Sequence, residues 1–234
     1  MNILSIDTST KNFSLAVSKK GRVARFRNIY LDKVLESSII PAVDKIIRDA
    51  GLKFKDIDGY AVGLGPGSFT SLRVGLSTIK AFAMATGKPV VGISSLDALA
   101  ANALGQKVDE ICVLIDARRN LVYACLYEEK NGVLNRKTDY LLTDLDNVLD
   151  QVKGKTFFIG DGVAVYRDAI QKKYAEARKQ GVDRRAVFAG PKEWFPQAKK
   201  LAGLALGRFE KKEYDKSETL VPIYLYAQDC QVQK

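Results

Sequence analysis

Three clusters of residues in this sequence have types and spacings that could do chemistry. The first is the polar turn Asp7-Thr8-Ser9-Thr10, which closes the apolar run Asn2–Ile6. A carboxylate beside hydroxyls suits a hard cation such as Mg²⁺ held against a phosphate. The same letters also make a turn whose Asp and Thr side chains bond backbone amides. The second cluster is the loop Gly63-Leu64-Gly65-Pro66-Gly67-Ser68-Phe69-Thr70. Glycines let backbone amides approach an anion with no Cβ in the way. Here the dinucleotide fingerprint lacks its last glycine, because Ser68 stands there, and no Gly-Lys-Ser/Thr follows at the P-loop offset. A tight strand-to-helix connection, stiffened by Pro66 and capped by Ser68 or Thr70, explains the loop as well. The third cluster is Asp116-Ala117-Arg118-Arg119, two guanidiniums beside a carboxylate, which reads either as an internal ion pair or as a ligand site.

What the sequence lacks is equally informative. Its 234 residues include no histidine. Ser-His-Asp and Cys-His nucleophiles, HExxH zinc sites and all imidazole acid–base schemes are thereby excluded. The three cysteines, Cys112, Cys125 and Cys230, are odd in number and widely spaced, so they form neither a disulfide framework nor a metal clip. No catalytic or metal-ligating residue is assigned. No apolar run reaches the roughly 18–20 residues that span a bilayer, and the N-terminus lacks a basic n-region, so the expected location is the cytoplasm. The net charge is +10, and residues 151–216 hold 16 Lys and Arg against 8 Asp and Glu, a net +8 of that total. Lys172, Lys173, Arg178, Lys179, Arg184 and Arg185 are its densest part, either a solvated face or a site of weak, salt-sensitive RNA contact.

The elements that must position these residues follow from periodicity. Strands are expected at Asn2–Ile6, Phe13–Val17 and Val23–Ile29, with Lys19-Lys20-Gly21 as a hairpin turn. From Asp32 the period becomes helical, through Leu35, Ile39, Val43 and Ile46 to Gly51, with Pro41 expected to bend the helix or mark its first turn. A strand at Ile57–Val62 leads into the glycine loop, and a helix runs from Ser71 to Thr86. That helix has a core stripe of Leu72, Leu76, Ile79 and Ala83, and a second face of small residues, Gly75, Thr78, Ala81 and Ala85. Such a face serves either close core packing or a partner. After Gly105 the pattern restarts, with strands at Ile111–Ile115, Val122–Tyr127 and Thr156–Ile159, and a last strand-like segment at Val221–Leu225. Trp194 and Phe195 read as a core anchor or hinge. Both halves open with a strand ending at an aspartate, which predicts a duplicated α/β architecture. Its lobes would be 1–105 and 106–234, and the C-terminal segment is a candidate to pack back on the first.

Taken in order, these stretches resemble the TsaB (YeaZ) family of tRNA threonylcarbamoyladenosine biosynthesis proteins. The resemblance rests on Ile3–Ser9, Gly63–Gly75, Pro89–Asp97, Asp116–Arg119 and Pro222-Ile223-Tyr224, and is most specific at Gly-Pro-Gly-Ser-Phe-Thr with its trailing Leu-Arg-Val-Gly. It implies two lobes of the actin-like ATPase and sugar kinase (ASKHA) type. It also implies a non-catalytic subunit that pairs with the transferase TsaD, which carries paired histidines for its metal, and that acts with the ATPase TsaE. The older protease label is set aside. Two copies would pair when TsaD is absent, and tRNA would be met through the complex. Family members pair through the helices mapped here to Leu35–Ala50 and Ser71–Ala85, so the implied interface is Leu35, Ile39, Val43, Leu72, Gly75, Thr78, Ile79, Phe82 and Ala85. Leu35 stands where members commonly place a histidine. Asp7, Thr8 and Ser9 would be a vestigial phosphate loop, with ATP or ADP and Mg²⁺ bound weakly or at the joint with the partner. The alternative is a small-molecule kinase of the same fold that uses Asp7 and Asp116 around Mg-ATP.

Overall fold

The computed structural model describes residues 1–30 and 35–226. Asp32 and Cys230 lie outside them. The described residues fall into two compact units, one formed by 1–98 with 196–223 and the other by 99–195 with 224–226.

The first unit is built on a five-stranded sheet in the order β3-β2-β1-β4-β5. Strands β1 (Ile3–Asp7), β2 (Asn12–Lys19) and β3 (Arg22–Tyr30) form an antiparallel meander, while β4 (Gly59–Gly63) and β5 (Val90–Ile93) run parallel to β1. Helices α1 (Leu35–Asp49) and α2 (Phe69–Thr86) lie side by side on one face, and their apolar stripes join Leu4, Ile6, Leu15 and Val17 in the core. Pro41 removes one backbone bond inside α1 without ending it. Helix α3 (Ser95–Ala100) follows β5.

In the second unit, the sheet order is β11-β10-β6-β7-β8, with β9 paired to β7. Strands β6 (Glu110–Arg118), β7 (Leu121–Lys130) and β8 (Val133–Arg136) form the meander, with β9 (Leu141–Thr143) beside it; β10 (Lys155–Ile159) and β11 (Arg185–Phe188) run parallel to β6. Helices α4 (Leu145–Gln151) and α5 (Gly162–Lys179) supply its helical layer. Both sheets therefore carry the same strand plan, an antiparallel meander continued by two parallel strands. The duplication expected from the two aspartate-terminated strands is present in the topology.

The lobe boundaries differ from those expected. The first unit ends near Ala98, not residue 105, and it reclaims α6 (Ala198–Glu210) from the second half. The reason is burial. Leu201, Ala205 and Phe209 pack against Ile3, Ala61 and Val91 on the sheet face opposite α1. Each large side chain so covered contributes roughly 1.5–3 kcal/mol. Gly59 is part of this fit, because a Cβ there would meet the Phe209 ring. Downstream, Arg208 forks onto Asp215, whose carboxylate also accepts from the Gly92 amide. The strand expected at Val221–Leu225 does not form. Pro222 has no amide to give a ladder, and the segment is held instead by Ile223 N–H donating to the Leu64 carbonyl.

Candidate functional site

Asp7 ends β1 beneath the glycine loop and is fully buried. One carboxylate oxygen accepts from the Ser9 amide at 2.9 Å and the Ser9 hydroxyl at 2.6 Å; the other accepts from the Ser95 hydroxyl at 2.7 Å. Burial pushes the Asp7 carboxyl above its ordinary value, against these hydrogen bonds, which pull it down. Thr8 and Ser9 are sealed in as well. The Thr8 hydroxyl donates to the Ser71 carbonyl at 2.7 Å, and the Ser9 carbonyl accepts from the Ser68 amide at 2.8 Å.

The glycines of the loop exist for this closure. A Cβ at Gly63 would strike the Asp7 carboxylate, one at Gly67 the Ser9 carbonyl, and one at Gly75 the Thr8 hydroxyl. Gly65 has a φ of +89°, a backbone geometry that side chains disfavour. The Ser95 hydroxyl accepts from its amide, and the Gly65 carbonyl accepts from the Ser95 amide. The loop is thus a lid bonded to the polar turn. As a seat for Mg²⁺ and phosphate, Asp7, Thr8 and Ser9 do not fit. A ligand there would have to displace three hydrogen bonds to Asp7 and the backbone of residues 67 and 68. The same closure removes Asp7 from the kinase alternative.

Most of the implied interface residues are buried within the chain. Leu35, Ile39, Val43, Leu72 and Ile79 belong to the chain's own core, and Gly75 is buried against Thr8. The amphipathic stripe that suggested contact is the stripe that faces the sheet. Leu35 at the histidine position is likewise a core residue. Phe82 is half-buried against Phe54, with rings 4.9 Å apart, and the Thr78 hydroxyl caps the Val74 carbonyl. Of that set only Ala85 is exposed. The outward faces carry other residues: Ile40 and Pro41 on α1, and Ser77, Ala81, Met84 and Ala85 on α2, with Met84 67% exposed. Sequence reasoning passed over Ile40 and Met84 because an apolar residue off the stripe carries no periodic signal.

In the second unit Asp116 is half-buried. Its carboxylate accepts from the Arg118 amide at 2.9 Å, and its own amide donates to Asp161. Neither arginine pairs with Asp116; both are exposed at the tip of the β6–β7 hairpin. Trp194 donates from its indole to the Ala189 carbonyl and packs against the second core, as a core anchor should. Half of the densest basic stretch is already engaged. Lys173 bridges Asp146 and Asp150, Arg184 donates to the Leu149 carbonyl, and Arg185 faces Asp183.

A family model described as "TsaD: tRNA N6-adenosine threonylcarbamoyltransferase" matches residues 32–234. The tRNA threonylcarbamoyladenosine biosynthesis protein TsaB of Bacillus subtilis is 32% identical over 175 residues, covering 73% of this chain and 76% of that one. The chain belongs to the TsaB family. Its match to the TsaD model places it in that wider family too. The fold agrees: YeaZ from Pseudomonas aeruginosa superposes with a TM-score of 0.77 at 25% identity, over 96% of this chain and 99% of that one. A ROK hexokinase from Thermus thermophilus shares the fold alone, at a TM-score of 0.52 and 13% identity over 88% of this chain and all of that one. TsaB membership ties the chain to tRNA threonylcarbamoyladenosine biosynthesis, and the fold is the ASKHA type expected, as the likeness to YeaZ and the match to the TsaD model support. No helix among the described residues is long and apolar enough to cross a membrane.

Proposed function

We infer that this chain is a non-catalytic subunit that docks with TsaD and supports threonylcarbamoyl transfer to adenosine 37 of tRNA, acting with TsaE in the cytoplasm. The observation that carries this reading is the sealed Asp7 turn in a chain without histidine. Where a catalytic relative would need an accessible carboxylate, every oxygen of Asp7 is bonded inward. The outward residues of α1 and α2 are then the docking face, centred on Ala81 and flanked by Ile40, Met84 and Ala85. Isolated apolar residues on a surface mean little, but small residues beside exposed Met and Ile on two adjacent helices suit close helix approach. In the absence of TsaD the same face pairs two copies. A nucleotide, if one takes part, sits with the partner and not at Asp7.

Ala81→Arg tests the docking face directly. The variant is expected to keep its melting midpoint within about 2 °C of the parent, since Ala81 is exposed, while losing co-elution with the cognate TsaD on size exclusion. Co-elution at parental strength would remove α2 from the interface. Turnover of any substrate by the purified chain alone would end the non-catalytic reading.

A further inference from the structure

The charge tally by halves conceals the most one-sided segment of the molecule. Residues 11–30 carry six Lys and Arg and not a single Asp or Glu. They form the β2–β3 hairpin, and β3 is the outermost strand of the first sheet, so among the described residues one side of its backbone has no strand partner. The opposite edge is treated differently: at β5, Asp215 bridges to Val90. Along β3 the exposure is high on both faces.

The register makes this arrangement odd for a structural edge. Lys19 and Arg22 are directly opposite each other beside the turn, a like-charge pair that works against the hairpin. The turn between them is Lys20-Gly21, with φ of +52° and +78°, a conformation that favours Asn or Asp over Lys at the first position. Arg25 lies on the same face as Lys19 and Arg22, by its pairing with Val17. Among the described residues no acidic side chain bridges Lys19, Lys20, Arg22 or Arg25; only Arg27 is neutralised, by Asp49 at 2.7 Å. On the other face, α6 adds more cation. Lys199 is 4.8 Å from the Phe26 ring, and the neighbouring Lys200 has its pKa lowered, first by burial and then by the Lys199 charge. Charges on an edge strand deter pairing with other strands. That role needs one or two cations, and it does not account for a turn that places like charges opposite one another.

We propose that the β2–β3 hairpin is a docking strip for the phosphodiester backbone of a folded RNA. Lys19, Lys20 and Arg22 gather at the turn end of the hairpin, and Arg25, three residues along the edge strand β3 at about 3.3 Å per residue, extends this group of donors along the open edge. Guanidiniums match phosphate oxygens in a fork. An anion laid along the row relieves the Lys19–Arg22 repulsion, which gives the sequence its local reason. The choice of RNA over another polyanion rests on the proposed role in tRNA modification.

The test titrates the purified full-length chain with an unmodified tRNA transcript by fluorescence anisotropy, between about 50 and 200 mM salt. Four phosphate contacts predict a slope of log affinity on log salt of about −3. Arg22→Glu/Arg25→Glu is expected to weaken binding at least tenfold at the lower salt. Arg22→Gln/Arg25→Gln, which adds no repulsion, should flatten the slope by about 1.5, and Arg22→Lys/Arg25→Lys should restore it. Lys172→Glu/Lys179→Glu on α5 should change affinity less than twofold. Equal losses from the hairpin and α5 variants, or no loss from the hairpin, overturn the proposal. Loss of TsaD co-elution by a hairpin variant that still binds RNA also overturns it, and assigns the strip to an acidic protein surface. Failure of Ala81→Arg to break TsaD co-elution bears on the docking face alone and leaves this titration unaffected.

Discussion

The two units begin alike and then diverge. In each, the first strand carries, at or near its end, an aspartate whose carboxylate accepts the amide two residues on: Ser9 for Asp7, the last residue of β1, and Arg118 for Asp116, two residues before the end of β6, both at 2.9 Å. In each, the next parallel strand ends near a glycine with no room for a Cβ: Gly63 against Asp7, and Gly160 against the Leu114 carbonyl. An 18-residue helix follows in both. The difference is in what lies between. Five residues, Leu64–Ser68, separate Gly63 from α2, whereas Asp161 alone separates Gly160 from α5. That short addition bonds to Ser9 and Ser95, the two partners of buried Asp7, whereas Asp116 is half-buried with no such loop beside it. One duplicated turn has been closed into a structural knot while its twin remains at the surface.

The most forceful way to break this comparison is to lift the lid. Gly75→Leu must push α2 off the buried, β-branched Thr8 side chain, and overpacking of this kind costs typically about 1–3 kcal/mol and occasionally more. We expect a loss of about 3 kcal/mol or greater in urea denaturation, against less than about 0.5 kcal/mol for Ala169→Leu on the exposed face of α5. A Gly75→Leu protein as stable as its parent would mean that α2 does not press on the turn. Of the two readings of the small-residue face, the expected loss follows from close core packing, whereas the interface implied by the resemblance had Gly75 meeting a partner.

Removing the carboxylates sharpens the contrast with a smaller effect. Asp7→Ala orphans the Ser9 amide, the Ser9 hydroxyl and the Ser95 hydroxyl inside the protein, for an expected loss of about 2–3 kcal/mol. Asp116→Ala leaves the Arg118 amide within reach of water, and its loss should stay below about 1 kcal/mol. Equal losses by chemical denaturation would show that the five added residues contribute nothing to the role of Asp7.

How far the sequence announced this can be judged residue by residue. Short apolar runs on either side of the Lys19-Lys20-Gly21 turn exposed β1, β2 and β3, and the glycine at 51 and the i, i+4 stripe exposed α1, because these signals lie within each element. The duplication was legible only as two strands ending in aspartate, since its proof is strand order, which no local pattern carries. That the C-terminal segment returns to the first unit was open in the sequence, but that α6 is the element that returns was not legible, because its partners, Ile3 and Val91, lie over a hundred positions away. The polar turn kept two readings for a similar reason. Whether Asp7 faces a ligand or Ser95 depends on a residue 88 positions further along the chain. At Gly75 the smallness was visible, but what required it, the Thr8 side chain, was not.

The smallest effect concerns protonation of the sealed carboxylate. Burial holds the Asp7 carboxyl above 3.8, so the folded chain keeps that proton to higher pH than the unfolded chain does. Within that window the folded state binds more protons, and this group's contribution to stability therefore falls as pH rises through it. Asp7→Asn keeps the shape and cannot titrate. Measured as the difference in unfolding free energy, wild type minus Asp7→Asn should grow in favour of wild type as pH is lowered through the raised value, and stay flat above it. The change should be smaller than the Asp7→Ala loss, because the hydrogen bonds of Ser9 and Ser95 oppose the effect of burial. A difference that instead shrinks on acidification would mean that these three donors outweigh desolvation, and that the closed turn holds its charge more comfortably than an open one would.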